Sequence, residues 1–390
     1  MGKSKGKGKK NQHVVPRCYL AAFLSGERPL EHADNAKFER GVWTSSPSLD
    51  GWKLKAPANV LTKPYFYTVP GDDPCRPEVE EFLGRIEDRI PPLRAKLERR
   101  EPLTVGDLCL TALFTMTLFQ RVPRQQGVLE DFLATTVRHR QAFEQGSRAD
   151  AVQLSPETVE ACRAWSRRSL LATDPAAILL AEGIHFIVGH SSDLLLTGDN
   201  PVLRFWRHTD ELAKFLGDAS LIDPRFTRAD VHPVTIAPLT PRVALLATPF
   251  LRTEYEGYPY LPSPRPTLFE GINVMTILNA DKVVVSALPE PLGSREEAFR
   301  QFLLEKSQEP RADQEEVLIY TDDDRFVLPI ADLLHEPMRA AFHVVGQVPQ
   351  QLKIPDARFS RVGFFRGGVE LGGMRNVRAE VQDSTVTLLL

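Results

Sequence analysis

Residues Val105–Arg121 limit the folds open to this chain more than any other segment. Thr104 is a good N-cap with Asp107 three positions on, and the helix they predict carries apolar residues on most of its sides. A helix of that kind belongs in the middle of a core, with other elements packed around it. Its last turn runs into Gln120-Arg121-Val122-Pro123-Arg124, and Pro123 ends it. A guanidinium at the inner end of a buried helix costs on the order of several kcal/mol of desolvation unless a carboxylate or phosphate answers it. Glu87 or Glu80 is the expected answer, which makes a structural Arg–Glu bridge the plainest reading of Arg121.

The elements around that helix follow from periodicity. Val79, Phe82, Leu83, Ile86, Ile90, Leu93 and Leu97 recur at helical spacing and predict one amphipathic helix over 77–99, bent or interrupted at Pro91-Pro92. Further helices are expected over 124–144, 156–171, 174–182 and 268–280. Short apolar runs at 184–188 and 194–197 read as buried strands. Two more strands, 234–237 and 243–248, flank Pro238-Leu239-Thr240-Pro241, taken as a proline-fixed turn. Shorter strands are expected at 41–44 and 65–68, an apolar run at 283–287, and an irregular loop over 255–266. The resulting fold class is α+β: a helical, bundle-like part packed on a mixed or antiparallel sheet over residues 11–288. Beyond about Pro289 the texture turns charged, and residues 289–390, with short strands near 317–320 and 385–389, read as a small C-terminal appendage.

Composition narrows the class without naming a function. With 390 residues, 42% of them hydrophobic, the chain can bury a large core, and a net charge of −3 argues against a global field for nucleic acid or an anionic membrane. The local exception is Lys3, Lys5, Lys7, Lys9 and Lys10, interleaved with Gly and Ser in a stretch too polar to pack. Residues 1–10 are expected to be a disordered basic tail, either a solubilising one or an arm that attracts nucleic acid or nucleotide. The apolar runs fall far short of the ~20 residues a bilayer span needs. Cys18, Cys75, Cys109 and Cys162 show no zinc-type spacing, so a reducing cytoplasm is the expected location.

Polar groups set among apolar residues mark the candidate site. His13 titrates near neutral pH, and Arg17 and Tyr19 follow it in Asn11-Gln12-His13-Val14-Val15-Pro16-Arg17-Cys18-Tyr19. Glu80 and Glu87 lie almost two helical turns apart, along one side of the predicted 77–99 helix. Thr197-Gly198-Asp199-Asn200-Pro201 is a strand-end turn, a place where carboxylates are often presented to ligands. As a turn alone it needs no function.

Taken together these pieces resemble the largely bacterial domain-of-unknown-function 4238 family. His13, Pro16, Tyr19, Leu20 and Phe23 match its opening His-x-x-Pro-x-x-Tyr-Leu-x-x-Phe pattern; Glu80 and Glu87 match a spaced pair of glutamates; Gln120, Arg121 and Pro123 match a Gln-Arg-x-Pro element. Asp199, Asn200 and Pro201 match a Ser-Asp-Asn-Pro turn, Pro238–Pro241 a proline-flanked turn, and Asn273 with Asn279 an asparagine-bearing helix. Gly198 stands where Ser is usual, and Arg17-Cys18 replaces a more common pair. The resemblance spans roughly residues 11–288 and carries no activity with it.

Three functions are open on these residues. In a metal-assisted hydrolase, most naturally a nuclease or phosphodiesterase, Glu80, Glu87 and Asp199 would hold Mg²⁺ or Mn²⁺. His13 and Asp199 would act as catalytic groups, with Arg121 and Arg17 neutralising phosphate. In a binding module, Arg17, Tyr19, Gln120, Arg124 and Asn200 would hold an anionic ligand without turning it over. In the third, the whole set is a polar network that locks helices onto sheet. The first two expect the side chains to converge on one cleft; the third expects them sealed and mutually paired.

Overall fold

The computed structural model describes residues 11–25, 40–73, 77–146, 152–189, 194–226, 231–249, 251, 260–261 and 266–301, with the backbone of seven strands between 315 and 389. The basic tail, Cys75 and most of the 255–266 loop lie outside the described residues. Cα packing divides the chain into one unit of Met1–Glu130 with Val159–Arg300 and another of Asp131–Thr158 with Gln301–Leu390.

The first unit opens with β1 (Asn11–His13) and the short helix α1 (Arg17–Leu20). β2 (Val42–Ser45), β3 (Lys53–Lys55) and β4 (Thr62–Pro64) follow, and β1 pairs antiparallel with β4, Gln12 opposite Lys63 and His13 opposite Thr62. β4 replaces the strand expected at 65–68. Tyr65 takes φ 51° and turns the chain, so the aromatic run is a turn and not a strand. The expected 77–99 helix is two helices, α2 (Glu78–Glu87) and α3 (Ile90–Glu98). Pro91 and Pro92 sit in the first turn of α3, where the missing N–H groups would have no intrahelical acceptor.

α4 (Val105–Arg121) matches its sequence expectation residue for residue, including the reciprocal Thr104–Asp107 capping box. α5 (Pro123–Gln145), α6 (Pro156–Arg168) and α7 (Asp174–Ala181) come next, and α4 packs against α2 and α7. β5 (Ile184–Val188), β6 (Thr197–Gly198), β7 (Leu203–His208) and α8 (Thr209–Leu216) lead into β8 (Val231–Thr240), β9 (Val243–Ala247), α9 (Pro266–Asn279) and β10 (Val284–Ser286). Only β6 remains of the strand expected at 194–197. Upstream of it, Asn273 takes over the backbone, accepting from the Leu196 N–H and donating to the Leu194 carbonyl, each at 2.8 Å. β8 runs through Pro238 and Leu239, so the chain reverses at Pro241-Arg242, where the Thr240 hydroxyl accepts from the N–H groups of Arg242 and Val243. β7 and α8 have no counterpart among the expected elements.

Sheet order in this unit is β5-β9-β8-β7 and β3-β2-β10-β6, antiparallel throughout. The first sheet is buried on both faces, which explains its uninterrupted apolar strands. Phe186, Val188, Leu245 and Ala237 join a core with Tyr19, Phe23, Leu93, Phe114 and Leu118, while Ile187, Leu246 and Ile236 join a second core with Leu212, Leu216, Phe269 and Ile272. Helices thus cover the sheet on either side, and the fold is α+β. In the other unit seven antiparallel strands run in the order β12-β11-β15-β16-β17-β14-β13: β11 (Glu315–Tyr320), β12 (Arg325–Pro329), β13 (Leu333–Glu336), β14 (Ala341–Val345), β15 (Ala357–Arg366), β16 (Val369–Gln382) and β17 (Thr385–Leu389). Among the described residues no helix is long and apolar enough to cross a membrane.

Candidate functional site

Arg121 is the hub of the first polar network. Its side chain is 3% exposed, and every edge of the guanidinium has a partner: Nη1 donates to Glu87 Oε1 at 2.7 Å, Nε to the Tyr67 hydroxyl at 2.9 Å, and Nη2 to the His13 carbonyl at 2.6 Å. Burial presses against the charge, and Tyr67 and Glu87 more than answer it, so the pKa of Arg121 rises. Of the two carboxylates expected to answer Arg121, Glu87 and Glu80, Glu87 makes the bridge. What the sequence reading missed is Tyr67, whose hydroxyl also donates to the His13 carbonyl and whose backbone N–H donates to Gln12 Oε1 at 2.6 Å. The only sequence signal for it was the aromatic run at 65–67. The network fastens α4, α2, β1 and the turn after β4 to one another.

Around this hub the surface side chains change character. His13 is half-buried, with Nε2 3.4 Å from the Pro57 carbonyl, and burial lowers its pKa. The imidazole is therefore neutral at pH 7. Cys18 is half-buried as well, and burial with the nearby Glu87 pushes its thiol up to about 12, far from a thiolate nucleophile at neutral pH. The charged groups acting most strongly on His13 and Cys18 are Glu87, Arg121, Arg17 and Arg94. Arg17 is exposed, and Arg94 is half-buried with Nη1 on the Cys18 carbonyl at 3.4 Å.

His13 makes stability depend on pH in a direction that can be checked. A base whose folded pKa lies below its unfolded value of 6.5 is protonated first in the unfolded chain. Its contribution is full above pH 6.5 and is lost as the pH falls through the lower, folded value. Urea melts at pH 5 to 7.5 should show stability falling on the acid side, and His13→Asn should flatten that part of the profile. An unchanged slope in the variant would assign the acid loss to other groups.

Asp199 and Asn200 anchor a second network. The Asp199 carboxylate accepts three backbone N–H groups, from Asp281 at 2.9 Å, Lys282 at 2.7 Å and Val283 at 3.2 Å, and so caps the turn that leaves α9. Burial raises its pKa, with those three hydrogen bonds pulling the other way. Asn200 and Asn279 exchange side-chain-to-carbonyl bonds of 2.9 Å, and Arg124 reaches the same corner, donating Nη1 to Asn279 Oδ1 at 3.0 Å and pairing through Nη2 with Asp281. Gly198 is required here. A Cβ on it would lie 2.8 Å from the Val283 carbonyl, which already accepts from the Asp199 N–H. Where relatives are expected to carry Ser, this chain is closed to it, and Gly198→Ser should cost about 1–3 kcal/mol by overpacking, read from a denaturant melt.

The predicted site residues thus fall into two networks on either side of the α4–α5 junction. His13, Glu87 and Arg121 come together, and so do Asp199, Asn200 and Arg124, but Glu80, Glu87 and Asp199 do not assemble as three metal ligands. Among the described residues no three His, Cys, Asp or Glu side chains do. The carboxylate of Asp199, which the strand-end position suggested would be presented to a ligand, is engaged by three backbone amides. Tyr19 is fully buried, its hydroxyl bonded to the Pro238 carbonyl and to Thr197 Oγ1, so it joins α1 to the sheet rather than facing a ligand. Gln120 is half-buried and its carbonyl accepts from Gln126 at 2.9 Å. Glu80 is half-buried on α2 and acts electrostatically on Tyr67.

A third network escaped the sequence reading. Arg167 of α6 donates Nη1 to Gln126 Oε1 at 2.7 Å and Nε to the Phe66 carbonyl at 2.9 Å, and pairs with Glu130 at 2.7 Å. Nothing in the strongly polar α6 sequence sets this arginine apart from its neighbours, Arg163 and Arg168.

No curated protein and no solved structure matches the chain. A sequence model of the family described as Protein of unknown function (DUF4238) does match it, over residues 11–288. The same stretch holds all three networks, and the chain belongs to that family.

Proposed function

We propose that the chain binds a small anionic ligand, a phosphate or carboxylate compound, where His13, Cys18 and Glu87 meet the surface. The observation that carries this reading is charge. Guanidinium groups gather on this segment: Arg121 Nη2 donates to the His13 carbonyl at 2.6 Å, Arg94 Nη1 to the Cys18 carbonyl at 3.4 Å, and the exposed Arg17 is near enough to act on His13. Guanidinium groups suit phosphate and carboxylate through paired N–H donors, and a neutral imidazole adds one donor and one acceptor. Arg121 serves as the anchor that positions His13 and Glu87, while Arg17 and Arg94 make the contact. Arg124 and Asn200 belong to the neighbouring network and support the α9 corner. A cytoplasmic setting goes with this reading, since Cys18, Cys109 and Cys162 are free thiols.

A metal-assisted nuclease or phosphodiesterase is the second reading, favoured by the same neutral imidazole, which can accept a proton near pH 7. It would draw Mg²⁺ or Mn²⁺ to Glu80 and Glu87 without Asp199, and bring nucleic acid or nucleotide in through the lysines of residues 1–10. One set of measurements separates the two. Thermal shift with inorganic phosphate, pyrophosphate and nucleoside triphosphates should show stabilisation that persists in EDTA and is lost in Arg17→Ala/Arg94→Ala, because a ligand of the folded state raises its apparent stability. Cleavage that needs Mg²⁺ or Mn²⁺ and disappears in His13→Ala would replace the binding reading with the hydrolase.

A further inference from the structure

The two nitrogens of the His13 ring are held in different roles. Nε2 lies 3.4 Å from the Pro57 carbonyl, and a carbonyl can only accept, so Nε2 carries the proton of the neutral ring. Nδ1 is then a lone-pair acceptor. The side-chain atoms that are sealed without a partner lie elsewhere, Trp43 Nε1, Ser45 Oγ and Thr115 Oγ1 among them. Among the described residues nothing donates to Nδ1 of the half-buried His13, so its lone pair opens to solvent.

Hydrogen bonds fix what stands beside it. Arg121 joins Glu87 to His13, donating Nη1 to Glu87 Oε1 at 2.7 Å and Nη2 to the His13 carbonyl at 2.6 Å, and its Nε goes to the Tyr67 hydroxyl at 2.9 Å. That guanidinium is therefore spent. Glu87 is half-buried, and among the described residues its Oε2 makes no hydrogen bond. The positions left open at this hub are thus acceptors, Nδ1 and Oε2, while the charge that draws an anion comes from Arg17 and from Arg94, whose Nη1 is 3.4 Å from the Cys18 carbonyl. An oxyanion arriving here meets lone pairs, which repel it unless it has a proton to give.

We propose that the anion is hydrogen phosphate, recognised through a P–OH donated to His13 Nδ1, and that the site rejects sulfate and carboxylate, which have no proton to give at neutral pH. This rests on the small-anion reading above and narrows it to one class of ligand. Inorganic phosphate keeps one P–OH as its dianion, whereas sulfate has the same charge and shape and none. A phosphate monoester gives up its last proton near pH 6, at a pKa of about 6, so its dianion is turned away for the same reason. A site built to receive a hydrogen bond discriminates strongly against an analogue that cannot make it.

Isothermal titration calorimetry of the full chain at pH 7.5 with phosphate, sulfate, acetate and methyl phosphate, at matched ionic strength, tests it. Phosphate should bind at least about tenfold more tightly than the other three, because only phosphate turns a lone-pair contact into a charge-assisted hydrogen bond. His13→Ala removes Nδ1 but keeps the main-chain carbonyl that Arg121 uses, so it should bring phosphate down to the level of sulfate. The comparison of anions on the unaltered protein stands without the variant. Equal affinity for phosphate and sulfate, or a preference for phosphate that survives His13→Ala, would overturn the acceptor role of His13 and leave the small-anion reading in place. If none of the four anions binds, the small-anion reading itself fails, and hydrogen phosphate with it.

Discussion

Arg121→Ala is expected to destabilise the protein by about 3–5 kcal/mol in a urea melt, the cost of breaking a buried charge pair from one side. The loss does not come from the ion pair alone. Truncation removes three donors at once, leaving Glu87 without its ion-pair partner and the His13 carbonyl and Tyr67 hydroxyl each one partner short. Arg121→Lys should recover little, because an ammonium on a flexible stem cannot span three directions that a planar guanidinium serves together. Arg121→Met with Glu87→Gln should recover more than lysine does, since it removes the stranded charge as well as the arginine. A melt of Arg121→Ala within about 0.5 kcal/mol of the unaltered protein would mean that the side chain is not buried in this way.

The second large effect is at Asp199. Asp199→Ala should cost about 2–4 kcal/mol, because three backbone N–H groups at the exit of α9 lose their acceptor; a buried unsatisfied donor costs on the order of 1–3 kcal/mol, and water reaching the exposed Asp281 and Lys282 keeps the sum well below three times that. Asp199→Asn is the sharper test. One carboxylate oxygen accepts from Asp281 and the other from both Lys282 and Val283, so whichever way an amide is placed, its NH₂ faces a donor. Asparagine should therefore lose most of what alanine loses. A catalytic or metal-binding aspartate would behave in the opposite way, with a stable asparagine variant that loses activity. Melting curves of the two variants decide between the roles.

Both effects bear on how the candidate site is understood. Of the charged and polar residues that a reader of the sequence would assign to chemistry, Arg121, Glu87, Asp199 and Asn200 are held in hydrogen bonds that join elements of the fold. They tie α4 to β1 and α2, and β6 to the corner after α9. On the proposed binding reading, ligand contact falls to the less conspicuous Arg17 and Arg94, together with His13. Removing a joint would abolish binding through misfolding, so Arg17→Ala/Arg94→Ala is the informative pair for function and Arg121→Ala for stability.

Much of this was determined locally and could be read from the sequence. α4 was complete in its capping residues, its apolar circumference and its terminating proline, because helix start, burial and stop are all written within neighbouring turns. The strand Ile184–Val188 was likewise legible as an uninterrupted apolar run, and the Arg121–Glu87 pair followed from the cost of leaving a guanidinium uncompensated. Tertiary structure decided the rest. Backbone hydrogen bonds offered by distant residues, Asn273 to Leu194 and Leu196, dissolved an expected strand, and β7 with α8 formed where packing against β8 and α9 outweighed weak local signals. Asp199 looked like a presented carboxylate because a strand-end turn is all that the sequence displays. Its true partners are backbone amides some eighty positions away, and main-chain N–H groups carry no residue identity from which such a pairing could be read.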